Sequence, residues 1–130
     1  MQTGENVDAA LIAYMKSVSA ITTALGKEVR ETSWQGTDFT YPALRIYTDI
    51  IPSNNNCSPE RVDAVIEIFD EQKSSKLCQH ISGIIQTTFH RAPFTSLGLK
   101  FVSSIVTKVQ KPERSIYAWV SRVNIEFLVN

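Results

Sequence analysis

The end of the chain has the most regular pattern of apolar and polar positions. One set of alternating positions is apolar except for a serine: Tyr117, Trp119, Ser121, Val123, Ile125, Phe127 and Val129. The intervening set is mixed: Ile116, Ala118, Val120, Arg122, Asn124, Glu126 and Leu128. Because side chains alternate between the two faces of a strand, the pattern predicts one long β-strand over 116–129. Apolar residues occur on both faces, so we expect a neighbouring subunit, or the chain folding back, to cover part of it.

Four earlier segments also have strand character: Lys27–Trp34, Tyr41–Ile51, Arg61–Phe69 and Leu97–Val109. The third alternates most cleanly, with four apolar residues on one face: Val62, Ala64, Ile66 and Ile68. Between the second and the third lies segment 52–59, which is polar and bounded by prolines, as loops are. The two strands and this loop therefore predict a β-hairpin with a long tip.

Two segments instead repeat apolar residues every three or four positions, which is typical of amphipathic helices. The first predicted helix covers residues 6–25, with an apolar stripe of Val7, Leu11, Tyr14, Val18, Ile21 and Leu25. The stripe of the second consists of Leu77, Ile81, Ile84 or Ile85, and Thr88 or Phe89. Gly26 and Pro93 follow the two stripes, and both residue types commonly end helices.

The predicted order of elements is α-β-β-β-α-β-β. Consecutive strands with short connections favour antiparallel pairing, and the two helices most simply cover one face of the sheet. The length of 130 residues is common for one domain, and the sequence shows no internal repeat or linker. We therefore predict a single α+β domain over residues 1–130, with a mainly antiparallel sheet of about five strands.

Composition argues for a globular protein without a strong overall electric field. Thirteen basic residues balance thirteen acidic ones, and 43% of the residues are hydrophobic. A neutral chain has no general attraction to nucleic acid or to an anionic membrane. The first ten residues lack the basic region of a signal peptide, and no apolar run approaches the roughly 20 residues of a membrane span. We expect a soluble protein, made in the cytoplasm, with no membrane partner.

The two cysteines do not form a recognisable metal site. Cys57 and Cys78 are not a CxxC pair, and neither has a histidine at metal-ligand spacing. Reduced thiols fit a cytoplasmic protein, and a disulfide between the two cysteines is the alternative. We therefore predict no bound metal, and the redox state of the cysteines stays open.

Few residues could support catalysis. The sequence contains no GxxxxGK[ST], GxGxxG, HExxH or GxSxG segment. His80 lies near the apolar stripe of the second predicted helix, and His90 lies at its C-terminal end, where the helix dipole favours a protonated histidine. A small enzyme would use Asp63 and Glu67, which share a strand face, with His80 or His90. A solvated or interface-facing strand edge explains these acids more simply, so we predict no enzyme activity and no cofactor.

A second alternative is a nucleic-acid-binding module. Basic residues are frequent in the last third of the chain: Lys100, Lys108, Lys111, Arg114 and Arg122. Together with Tyr117 and Trp119 they could bind phosphates and stack on bases. However, Lys111 and Arg114 flank a predicted turn, and lysines commonly protect exposed strand edges. Trp119 is also more typical of a core or an interface.

From Tyr41 onward the chain resembles the tail-completion or tail-terminator proteins of tailed bacteriophages. The matching segments are YPALRIYTDI, a long polar loop, VDAVIEIFDEQ, the helix KSSKLCQHISGIIQTTFH and the last strand IYAWVSRVNIEFLV. Phe69 takes the place of an aromatic residue near the end of a strand in that family, and Tyr117 and Trp119 take the place of aromatics in its last strand. Residues 6–25 correspond to the family's N-terminal helix.

The resemblance implies a virion protein at the junction of tail and neck, assembled in the host cytoplasm. Such a protein forms a ring, expected to be a hexamer, that caps the tail tube, stops its polymerisation and offers a docking surface to the head-proximal connector. Its partners would be copies of itself, the tube protein and the connector, and nucleic acid would meet it only as DNA in the ring lumen. The alternative within this class is another head–tail connector.

Loops carry adaptable polar groups, so we expect the loop 52–60 and the turn 110–115 to project towards adjacent rings. The candidate interface residues are Asn54, Asn55, Asn56, Lys111, Glu113, Arg114 and Trp119.

Overall fold

The computed structural model describes residues 4–25, 29–31, 43–51, 60–70, 75–114 and 118–130. These ranges contain three helices: α1 (Gly4–Ser17), α2 (Ser19–Leu25) and α3 (Lys76–Phe89). The strands are β1 (Val29–Glu31), β2 (Ala43–Ile51), β3 (Glu60–Asp70), β4 (Phe94–Ser96), β5 (Leu99–Val109), β6 (Glu113–Arg114) and β7 (Trp119–Val129). None of the described helices is long and apolar enough to cross a membrane. The predicted α+β class is confirmed.

The last strand of the chain lies near the middle of the sheet. The strand order is β1-β2-β3-β7-β5-β4, and β6 pairs with the start of β7. The pairing of β7 with β3 is antiparallel and unbroken, from Glu60 opposite Val129 to Asp70 opposite Trp119. On its other side β7 pairs with β5, with two shifts of register. The strand predicted over 116–129 is therefore present from Trp119 onward, and residues 116 and 117 lie outside the described ranges.

One face of the central strands is buried under the helices. On β7 the buried side chains are those of Ser121, Val123, Ile125, Phe127 and Val129, as the alternation predicts. On β3 they include Val62, Ala64, Ile66 and Ile68. Ser121, the polar residue in this set, shares a hydrogen bond of 2.9 Å with Ser82 of α3. That bond explains how a serine is accommodated among apolar neighbours.

An aromatic cluster joins the helices to the C-terminal strands. Phe94 of β4 stacks on Tyr14 of α1 and on Phe101 of β5, with ring centroids 3.9 and 4.4 Å apart. Phe127 of β7 meets Phe101 and Phe89 edge to face at 5.3 and 5.8 Å. These geometries are the favoured ones for aromatic pairs, so the cluster fixes α1 and α3 against the same face.

The first predicted helix is divided into two. The break is at Val18. The Val18 N–H donates a hydrogen bond to the carbonyl of Met15, and the Ile21 N–H donates one to the carbonyl of Val18. Both bonds reach back three residues, as in a 3₁₀ turn, and the Ser17 hydroxyl donates to the carbonyl of Tyr14. Serine hydroxyls compete in this way with the regular helical pattern. The described residues therefore form three helices where two were predicted.

The sheet is mainly antiparallel, as predicted, and the first strand is its parallel member. Only Val29–Glu31 of the predicted segment Lys27–Trp34 is a described strand, and it lies parallel to β2 with Val29 opposite Leu44. A parallel pair requires a connection of about a dozen residues, because the chain must return to the same end of the sheet. The segment 32–42 is close to that length.

Replacing Phe127 with alanine tests the aromatic cluster. The ring is fully buried, so we expect the free energy of unfolding to fall by about 3–5 kcal/mol, as measured by urea denaturation. Leu128→Ala is the matched control on the opposite face of the same strand, where half-burial predicts a loss of about 1 kcal/mol. Equal losses would contradict the assignment of faces.

Candidate assembly surface

Four of the predicted interface residues lie together at one corner of the sheet. We call this group, formed by Lys111, Glu113, Arg114 and Trp119, the β6 corner. β6 places Arg114 opposite Trp119, with the guanidinium carbon 5.9 Å from the indole centroid, within range of a cation–π contact. The three charged residues are exposed, whereas Trp119 is half-buried against the core. The corner combines exposed charge with an anchored aromatic ring, as protein interfaces often do.

The other three predicted residues, Asn54, Asn55 and Asn56, lie outside the described ranges. The strands on either side of them are placed: β2 ends at Ile51 and β3 begins at Glu60. Glu60 lies opposite Val129, at the end of β7. The β6 corner contains Trp119, at the other end of the same eleven-residue strand. That separation is roughly 35 Å. The segment 52–59 and the β6 corner therefore begin from opposite ends of the sheet.

A shallow groove adjoins the β6 corner. It has a volume of about 230 Å³ and lies between α3 and the residues that follow β5. Its lining includes Gln79, Gly83 and Gln86 on α3 and Lys111 and Pro112 across from them. An added Cβ at Gly83 would meet no atom within 4 Å, so the floor of the groove is open. The groove extends the corner with uncharged polar groups.

The face of the sheet away from the helices carries a charged network that the sequence pattern did not reveal. Glu67 of β3 is only 6% exposed, and it accepts hydrogen bonds from Arg45 of β2 at 3.2 Å and from Arg122 of β7 at 3.1 Å. One carboxylate thus joins three neighbouring strands. Nearer the other end of the face, Arg61 pairs with Asp63 at 3.0 Å and with Glu126 at 3.5 Å.

The residues of the enzyme alternative are not brought together. Asp63 and Glu67 are held by arginines on the open face, whereas His80 and His90 belong to α3 and its end on the covered face. His80 is exposed, so its predicted place near the buried stripe is wrong; that stripe runs through Cys78, Ile81, Ser82, Ile85 and Phe89. His90 accepts a hydrogen bond at Nδ1 from the N–H of Val106. Within the described ranges, no three metal-ligating side chains form a group.

Cys78 is a free, buried thiol between α3 and the sheet. Its sulfur lies 3.7 Å from the carbonyl oxygen of Trp119 and 4.0 Å from that of Ile68. Burial, with a smaller contribution from the charge of Asp70, raises the pKa of the Cys78 thiol to about 11. The thiol is therefore protonated at neutral pH and is a poor nucleophile. Cys57 lies outside the described ranges.

Glu67→Ala tests whether the network stabilises the sheet. Removing the carboxylate leaves Arg45 and Arg122 without their shared partner, so we expect a loss of about 1–3 kcal/mol in the free energy of unfolding. The arginines are partly exposed, which limits the loss. Asp63→Ala is the control, because its ion pair is exposed to solvent and its removal should cost less than about 1 kcal/mol. Similar effects would contradict a special role for Glu67.

The reactivity of Cys78 tests its burial. In a Cys57→Ser variant Cys78 is the sole thiol, and at about pH 8 we expect it to react with Ellman's reagent roughly a hundredfold more slowly when folded than when unfolded. Because the pKa is higher in the folded state, stability should be unaffected at neutral pH and fall between about pH 9 and pH 11. Equal reaction rates in the two states would contradict the placement.

Comparison with known proteins rests on structure alone. No protein-family model matches the sequence, and no curated protein matches it. A chain of the structure described as "Virion of native gene transfer agent (GTA) particle" has a TM-score of 0.75 and 12% sequence identity, over 95% of this chain and 93% of that chain. A second solved chain, whose name states no function, has a TM-score of 0.67 and 15% identity, over 98% and 97%. Both similarities cover nearly the whole chain, and at these identities they show a shared fold.

Proposed function

We propose that this chain is a virion structural protein of a tailed phage or phage-like particle. The observation that carries the proposal is the fold shared with a chain of a gene transfer agent virion over nearly the full length of both. The resemblance of the sequence to tail-completion proteins is separate support, because it depends on the order of sequence segments and not on the coordinates. Both point to a protein that acts by binding.

Within that class, the chain acts as a tail terminator. It forms a ring of copies, six in the simplest form, which caps the tail tube, stops further addition of tube subunits and receives the head-proximal connector. The site of action is the junction of tail and neck in the virion. DNA passes through the lumen, and neither a membrane nor a cofactor takes part.

Two sets of candidate contacts suit the two axial neighbours of such a ring. The β6 corner and the segment 52–59 begin from opposite ends of β3 and β7. A protein between a tube and a connector needs contacts on two opposed sides. We assign one neighbour to Lys111, Glu113, Arg114 and Trp119, and the other to Asn54, Asn55 and Asn56.

Deletion of the gene from the phage or element that encodes it tests this function. If the chain ends tube growth, electron microscopy of the deletion strain should show tails of uncontrolled length that are not joined to heads. Supplying the intact gene in trans should restore a narrow length distribution and attached heads. The control is deletion of a gene for a capsid protein, which should leave tail length unchanged.

The same images distinguish the alternative within this class. Tails of normal length that fail to join heads would assign the chain to another connector of the neck. Normal tails on normal particles would contradict both assignments.

A further inference from the structure

Charge is divided unevenly between the two halves of the chain. Residues 1–71 hold eleven of the thirteen acidic residues and five of the thirteen basic ones. Residues 72–130 hold the other two acidic residues and eight basic ones. The first half thus has an excess of six negative charges and the second an excess of six positive charges, although the whole chain is neutral. Such an asymmetry suits contact between complementary surfaces.

The fold converts this division in sequence into a division in space. β1, β2 and β3 come from the acidic half and form one side of the sheet, while β7, β5 and β4 come from the basic half and form the other. The described ion pairs join β2, β3 and β7 at the centre. Lys100 and Lys108 on β5 and Asp49 near the end of β2 take part in none of these pairs.

The outer side of β5 is a basic surface with exposed apolar residues. We call it the β5 flank and define it by Arg91, Lys100, Lys108, Leu97 and Ile105. The three basic residues are exposed, and none forms an ion pair with a residue in the described ranges. Leu97 is 69% exposed and Ile105 is 37% exposed. The flank thus combines exposed aliphatic area with a positive charge that an acidic protein surface would complement.

Leu97 also has an unfavourable backbone conformation. It occupies the two-residue turn between β4 and β5 with a φ of 48°, and Gly98 follows with a φ of 80°. Two positive φ values define a turn that favours asparagine followed by glycine, and a leucine in the first position is strained. Such strain often occurs at functional positions, and the hairpin itself does not require a leucine here.

Acidic residues lie on both faces of the sheet beside the C-terminal half of β2: Glu5 and Asp8 belong to α1 on the covered face, and Asp49, opposite Asp63, projects from the open face. Asp8 accepts a hydrogen bond of 2.6 Å from the Thr48 hydroxyl, which places the first turns of α1 there. Glu5 and Asp49 are exposed and form no ion pair within the described part of the chain. We call Glu5, Asp8 and Asp49 the acidic flank. β2 and β5 are three strand positions apart, or roughly 14 Å, which separates Asp49 from Lys108. α1 spans this distance, because the Ser96 hydroxyl, beside the β4–β5 turn, donates to the carbonyl of Ala10 at 2.7 Å.

We propose that the β5 flank of one copy of this chain binds the acidic flank of the next copy. The partner is a second copy because the chain itself carries the complementary surface. The two flanks differ, so the contact is heterologous and repeats from head to tail, closing into a ring where the rotation between copies permits. This inference rests on the proposed ring and specifies which sides of the subunit form it.

Two other uses of the β5 flank fit the structure less well. The first is pairing of the exposed edge of β5 with a strand of another protein. The Arg91 N–H already donates a hydrogen bond to the carbonyl of Ser104, and the Val106 N–H donates one to His90. These bonds occupy the middle of that edge and hinder the addition of a strand. Binding of a nucleic-acid strand would need aromatic platforms. The large hydrophobic side chains that are exposed in the described ranges are all aliphatic: Ile51, Leu97, Val102, Ile105 and Val109.

Charge reversal on each flank tests the contact. One variant combines Lys100→Glu with Lys108→Glu, and a second combines Glu5→Lys with Asp49→Lys. By sedimentation velocity in about 0.1 M salt, we expect each variant alone to associate roughly a hundredfold more weakly than the wild type. An equimolar mixture should recover association, because the reversed β5 flank of one variant then meets the reversed acidic flank of the other, and their two unmodified flanks also meet each other. Circular dichroism checks that both variants are folded.

The matched control combines Lys111→Glu with Arg114→Glu. It changes the net charge by the same amount as the β5 variant but lies at the β6 corner, so self-association should stay within about threefold of the wild type. A wild type that stays monomeric, or variants that associate as the wild type does, would overturn the proposal. So would loss of DNA binding in the β5 variant with unchanged self-association, which would make this flank a nucleic-acid surface.

Leu97→Asn separates folding from association. Asparagine suits the positive φ at this position, so the thermal midpoint of the monomer should rise by a few degrees. Self-association should weaken by roughly tenfold, because the exposed leucine is lost from the contact. An unchanged association constant would remove the β4–β5 turn from the proposed interface.

These results are independent of the test of function. Variants that behave as expected while gene deletion leaves tails normal would support the contact between copies and reject the role in ending tail growth. If gene deletion gives overlong tails but the charge reversals leave self-association unchanged, the role in ending tail growth is supported and the contact between copies is rejected.

Discussion

The pairing of β3 with β7 is the constraint on which the rest of the structure depends. Eleven consecutive residues of each strand face each other without a bulge. Because side chains alternate with period two, this register assigns every residue of both strands to a face, and a slip of one residue would exchange the faces. The buried set then includes Ile66 and Val123, opposite each other under α3, and the open set includes Glu67 and Arg122. Both the core and the charged network follow from this register.

That register also determines which charges are neutralised within the subunit. Glu67 lies opposite Arg45 on one side and Arg122 on the other, so one buried carboxylate offsets two arginines across three strands. Burial of a carboxylate is unfavourable unless it is paired, which ties the central strands to one another. Lys108 lies on β5, outside these three strands, and Asp49 lies near the end of β2; neither forms an ion pair with a described residue. The ion pairs given above thus lie on the central strands β2, β3 and β7.

Period-two alternation made much of the fold predictable from the sequence, because it depends only on which residues face the core. It predicted the buried face of β7 and the hairpin of β2 and β3. The break at Val18 was not predictable, because the apolar stripe continues through it and only a serine hydroxyl and three-residue hydrogen bonds mark it. Glu67 was identified, but its arginine partners are distant in sequence and meet only through strand register. The polar turn suggested Lys111, Glu113 and Arg114 as interface residues, which stays a prediction, whereas Leu97 has no local signal except its position before a glycine.

The described strands differ in two perpendicular directions, and the proposed ring between two neighbours would use both. Along the strands, the β6 corner and the segment 52–59 begin from opposite ends of β3 and β7. Across the strands, the sheet order runs from acidic to basic elements. An antiparallel sheet provides both directions without further structure, because its turns gather at the two ends while its flanks come from different parts of the chain. In the proposed ring, contacts between copies therefore use groups separate from those that meet the tube or the connector, so each set can change without loss of the other.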